Sequence, residues 1–129
     1  MRKIVLAVTT LLLVVACTTA PVLNIRNAKF STLLNGQPPS VEKVEKAILI
    51  AAQKRGWSAR IVHPGLIEAS IIVRDHRASI EIPYDSAEYS ILYSDSSNLD
   101  YDGTKIHRNY NNWVVKLSES IQKEIYSLQ

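Results

Sequence analysis

Cysteine is all but missing from this sequence: Cys17 stands alone. A disulfide framework is therefore impossible even in an oxidising compartment, and stability has to come from packing. Glycine is scarce, at four residues, and no phosphate-cradling glycine loop can be written. His63, His76 and His107 form neither an H-x-H pair nor H-E-x-x-H, so local zinc-ligand spacing is absent. No G-x-S-x-G elbow accompanies the many serines. Charge of one sign is missing too. Of 15 basic residues, Arg2 and Lys3 stand at the start; the remaining 13 are interspersed with 12 acidic ones. That balance gives nucleic-acid binding no electrostatic footprint and offers no polybasic membrane patch. No cofactor and no metal site are expected. A long hydrophobic run is also lacking. The apolar stretch Ile4–Val15 would reach about 18 Å as a helix, short of the roughly 30 Å of a bilayer core.

What is present begins with that stretch. Arg2 and Lys3 supply a basic start, Ile4–Val15 an apolar centre, and Val14-Val15-Ala16-Cys17 a small-residue cut site. The arrangement resembles the signal peptide of a bacterial lipoprotein, with Val14–Cys17 in the place of the lipobox. The resemblance implies removal of residues 1–16 and acylation of Cys17, palmitate included. The membrane is then a partner through lipidated Cys17. An unlipidated secreted chain would instead carry an unpaired thiol beside the cleavage point. Two or more acyl chains give stable attachment where one does not. Thr18 follows the cysteine where an aspartate would signal retention. By resemblance to Gram-negative lipoproteins, this implies the outer membrane, on its periplasmic side.

Residues 17–39 read as the lipidated cysteine and a tether, partly docked. Thr18-Thr19-Ala20-Pro21 is small and polar enough to be flexible. The apolar residues from Val22 to Leu34 are too many for a solvated linker, and Asn24–Phe30 is expected to lie extended as an edge strand. Residues 40–129 form the domain. Ser40 caps a first helix, whose apolar positions Val41, Val44, Ala47, Ile48, Ala51 and Ala52 recur at helical spacing. Lys54-Arg55-Gly56 ends it. Four strands follow, Trp57–His63, Leu66–Arg74, Arg77–Tyr84 and Ala87–Ser94, joined by turns too short for parallel crossovers. A second helix is expected from about Lys105, with Ile106, Tyr110, Trp113, Val114, Leu117, Ile121 and Ile125 on its buried side. The fold class is α+β: helix, four-stranded antiparallel meander, helix, in two layers with both helices on one sheet face. Trp57 and Trp113 are the expected packing anchors.

The densest polar stretch runs from Asp95 to Asn112. Asp95, Ser97, Asn98, Asp100, His107, Asn109 and Asn111 are the candidate site residues. They form either a recognition loop or a clasp tying the last strand to the last helix, since Asx and Ser side chains satisfy loop and helix-end backbone groups. Asn98, Asp100, Asp102 and Gly103 imitate the start of a calcium loop, but its closing glutamate falls at Asn109, so that site is not expected.

Two further resemblances concern the domain. Arg55-Gly56-Trp57, the run from Tyr89 to Leu99 and the run from Ile106 to Trp113 look like the signature of a functionally undefined family of small bacterial lipoproteins. The element order is also similar to the lipopolysaccharide-assembly lipoprotein that plugs an outer-membrane barrel. Together these point to a non-enzymatic outer-membrane lipoprotein with an envelope protein partner, working in envelope assembly or maintenance. The alternatives are a binding module for a cell-wall or small-molecule ligand through Asp95–Asn112, and a hydrolase with a dispersed site around His107, Asp95 and a serine.

Overall fold

The computed structural model describes Lys3 and residues 18–128. Cys17 and, Lys3 apart, the expected leader lie outside the described residues. Among the described residues no helix is long and apolar enough to cross a membrane.

Helix α1 spans Val41–Lys54. The Ser40 hydroxyl accepts the Lys43 N–H, and Gly56 takes the left-handed conformation just past the end (φ +82°). Four strands follow: β3 (Ser58–His63), β4 (Leu66–Val73), β5 (His76–Pro83) and β6 (Glu88–Ser97). They pair antiparallel in sequence order, as the short turns require. The sheet has five strands, not four. Strand β2 (Ile25–Lys29) adds to β6 as an edge, giving the order β2-β6-β5-β4-β3. A register shift between Ile25 and Ala28 is absorbed at Asn27, whose φ of +53° suits asparagine.

A second, two-stranded sheet was not expected. Strand β1 (Thr19–Pro21) pairs antiparallel with β7 (Lys105–His107). Two expectations change with it. Thr19–Pro21, expected to be flexible, are a paired strand. The last helix, α2, begins at Arg108 and runs to Ser127, so Lys105–His107 precede it in extended form.

Both helices bury their apolar stripes in one cluster with the inner side of the sheet. Ile67, Ala69 and Ile71 of β4, Ala78, Ile80 and Ile82 of β5, and Tyr89 and Ile91 of β6 face it. Each of these isoleucines is worth about 1.5–3 kcal/mol in burial. Glu68, Ser70, Ser79, Glu81 and Ser90 alternate onto the wetter face. Ile61 and Val73, which share the inner parity by alternation, are exposed near the strand ends. Trp57 is buried as expected, but Trp113 is only partly buried; Tyr110 is the fully enclosed aromatic of α2. It packs edge-on against Tyr93 with ring centroids 5.6 Å apart.

Candidate functional site

The polar stretch divides into three groups rather than one site. The first lies on the outer face of the sheet. Ser79 pairs with Asp95 and Ile80 with Tyr93, so Ser94 is the extra residue of a bulge. The bulge sets Asp95 and Ser97 beside Arg77, which donates to Asp95 Oδ2 (2.6 Å), Ser79 Oγ (3.1 Å) and Ser97 Oγ (3.2 Å). The Arg77 guanidinium holds the Asp95 carboxyl below its usual range. A shallow groove of about 460 Å³ runs across this face between Ser58, Arg60, Glu68, Ser70, Ser79 and Asp95. Arg60 donates to Glu68 across it (2.5 Å).

The second group closes the end of the sheet where β4 turns into β5. Asn98 has φ +60°, Asp100 φ +54°, and Leu99 between them is buried. The Asn98 amide donates to Asp75 Oδ2 at 2.7 Å. The Asn98 backbone carbonyl lies 2.6 Å from His76 Nδ1 and accepts its N–H. The Leu99 carbonyl accepts the His107 N–H at 2.8 Å. Asp102 accepts the N–H groups of Thr104 (2.9 Å) and Lys105 (2.7 Å), which lower its carboxyl pKa. His107 is the N-cap of α2: its Nδ1 accepts the Asn109 N–H at 3.2 Å, so Nε2 carries the proton of the neutral ring. The His76 and His107 rings stack at 6.4 Å. Asn109 contributes that backbone donor, and its side chain is exposed.

The third group fastens the N-terminal segment. The Asn111 amide donates to the Pro21 carbonyl (2.9 Å), and its oxygen accepts the Leu23 N–H (3.0 Å). Asn24 accepts the Tyr93 N–H (2.8 Å), and Ser90 accepts the Asn27 N–H (3.0 Å). Gln122 donates to the Lys29 carbonyl (3.2 Å). At the very start, the Thr18 carbonyl accepts the Arg108 N–H at 3.0 Å. Asn111 was singled out in the sequence; Asn24, Asp75, His76, Arg77 and Asp102 were not assigned these roles. Only the abundance of Asn and Asp near turns signalled them.

No family model, no curated protein and no solved structure matches the chain. The resemblances noted in the sequence therefore rest on its motifs and, for the last of them, on element order alone. Among the described residues no group of three or more His, Cys, Asp or Glu is placed to hold a metal. Asp95 and His107, the pair on which a hydrolase would depend, fall in different groups. Asp95 is engaged by Arg77, and the groove along Tyr93–Ser96 and Asn98–Tyr101 is not walled by His107. Asn98, His107 and Asn111 hold backbone groups, and Asp95 and Ser97 are held by Arg77, which is the chemistry of a clasp.

Proposed function

We propose that the chain is a lipid-anchored, non-enzymatic lipoprotein of the outer membrane, facing the periplasm and acting through protein contacts in envelope assembly or maintenance. The observation that carries the reading is Val14-Val15-Ala16-Cys17 standing directly before a docked residue, Thr18. A domain that takes hold of its chain one position after the acylated cysteine suits a membrane attachment. The outer sheet face away from the β4–β5 turn, with Val62 exposed beside Arg60, is the surface offered to a protein partner. Cys17→Ser is expected to abolish metabolic acyl labelling and leave full-length precursor. Normal labelling of that variant would end the reading.

The groove over Ser70, Ser79 and Asp95 favours a second reading, a binding module for a polar cell-wall fragment or small molecule. It differs from the expected ligand region in using the sheet face rather than the loop to Asn112. Titration with soluble cell-wall fragments, followed by amide chemical shifts, separates the two. Shifts concentrated at Ser70, Ser79 and Asp95 would support binding; none at millimolar ligand would dismiss it.

A further inference from the structure

We infer that the end of the domain carrying the β4–β5 hairpin tip rests on the headgroup layer of the membrane that holds Cys17. The inference rests on the lipid-anchor reading and deepens it. A tether over residues 17–39 would leave the domain free to wander by about 25 Å from its anchor. The structure removes that freedom. Thr18 is bonded to Arg108, Thr19–Pro21 pair with Lys105–His107, and Asn111 grips Pro21 and Leu23. Cys17 follows Thr18 backwards by one peptide unit, about 3.8 Å between Cα atoms. The acyl chains therefore leave from a fixed point on the domain.

What surrounds that point suits lipid. His107 pairs with Thr19, and the His76 ring stacks on His107, which brings the hairpin tip alongside the anchor. Val73 and His76 are the last pair before the turn Arg74-Asp75. Ile72 is 72% exposed, the most exposed aliphatic side chain of the sheet, and Val73 beside it is exposed as well. Arg74, with φ +58°, projects from the turn, and Arg108 stands exposed at the start of α2. The one acid of the turn, Asp75, is engaged by Asn98 and lies 3.5 Å from His76 Nε2. The charges of this end balance, Arg74, Lys105 and Arg108 against Asp75, Asp100 and Asp102, so it is the two exposed aliphatics beside the anchor that match a headgroup layer with acyl chains beneath it. The opposite end of the sheet, at Pro64-Gly65 and Asp85–Ala87, is the far end of β4 and β5 from that tip.

The test uses full-length protein, processed in a Gram-negative host and reconstituted into vesicles of phosphatidylethanolamine and phosphatidylglycerol. Acylated Cys17 has no free thiol, so Ile72→Cys and Ser86→Cys each carry a single thiol-linked fluorophore. Both positions are exposed, and equal melting temperatures check that both variants fold. Spin-labelled lipid is expected to quench the probe at position 72 at least about five-fold more than at position 86, because short-range quenching reports contact with the bilayer. Equal quenching, with acylation of Cys17 verified by mass spectrometry, would overturn the apposition and leave the anchor reading standing. Absence of acyl mass on Cys17 would overturn both.

Discussion

The two ends of the sheet are closed in different ways. At one end the turns are local. Pro64-Gly65 joins β3 to β4 with Gly65 at φ +93°, and Asp85 accepts the N–H groups of Ala87 and Glu88, two and three positions on. At the other end the closure is long-range. Asn98 reaches Asp75, Asn24 reaches Tyr93, and Asn111 reaches Pro21, 90 positions away. The local turns reverse the chain and hold only the end of β2, where the Ala87 carbonyl accepts the Phe30 N–H. The long-range end fixes where Thr18–Asn24 lie, and it holds most of the residues that the sequence offered as a site. Polar density marked investment in position rather than in chemistry.

Several substitutions would break or sharpen this contrast. The largest effect is expected at Tyr110, the aromatic beneath the long-range end. Tyr110→Ala should cost about 3–5 kcal/mol in denaturant unfolding, and Trp113→Ala, only partly buried, should cost less. Tyr110→Phe should be tolerated or stabilising, because Tyr110 Oη is buried with no protein partner and burial already raises its pKa. A Trp113→Ala loss exceeding that of Tyr110→Ala would mean that the α2 face is misassigned.

Next in size is Asn111→Ala, which orphans the Leu23 N–H and the Pro21 carbonyl together. A cost of about 1–3 kcal/mol is expected. Hydrogen exchange across residues 19–23 should quicken roughly ten-fold or more, while Ala87 and Glu88 keep their protection. Uniform acceleration at both ends would erase the distinction between them.

Acid should act on both ends, more gently. Asp95, Asp102 and Asp85 have pKa values lowered by Arg77 or by backbone N–H donors. A carboxyl with a depressed folded-state pKa stabilises above its unfolded value and loses that contribution as pH falls through the folded one. Melting temperature should therefore hold steady from pH 7 down to about 4 and decline below it. Asp102→Asn should flatten the decline, and an unchanged slope would remove Asp102 from the clasp. The smallest effect is expected from Asp85→Ala at the local end, about 0.5 kcal/mol for an exposed turn. A loss as large as that of Asn111→Ala would show that local and long-range closures are equivalent.

Much of this was legible in the sequence, for physical reasons that also explain what was not. Ser40 and Arg55-Gly56 bracket α1 because capping chemistry is local. The four meander strands follow from alternation between turn residues, and Asn24–Phe30 was extended as expected. Strands β1 and β7 left no trace, because three residues carry no period and their partners lie across the chain. The bulge at Ser94 was invisible among serines and aspartates, where no apolar alternation exists to reveal an extra residue. Trp113 was overrated because size was taken for depth: it sits at the margin of the α2 stripe, and Tyr110 and Val114 hold its centre.

The Asn111 grip on Pro21 and Leu23 also orders events in time. Leu23 and Asn111 are 88 positions apart, and closing a loop of that length costs about 4 kcal/mol in chain entropy. Nothing near Thr19 can repay that cost until β7 and the start of α2 exist as structure, so β1 docks late. On the lipoprotein reading the chain crosses a membrane with its N-terminal residues first, and these wait for the last helix. On the same reading, that delay is the interval in which processing enzymes reach Cys17. Docking of Thr18 and Thr19 then closes the interval, and the fold itself limits how long the modification site stays open.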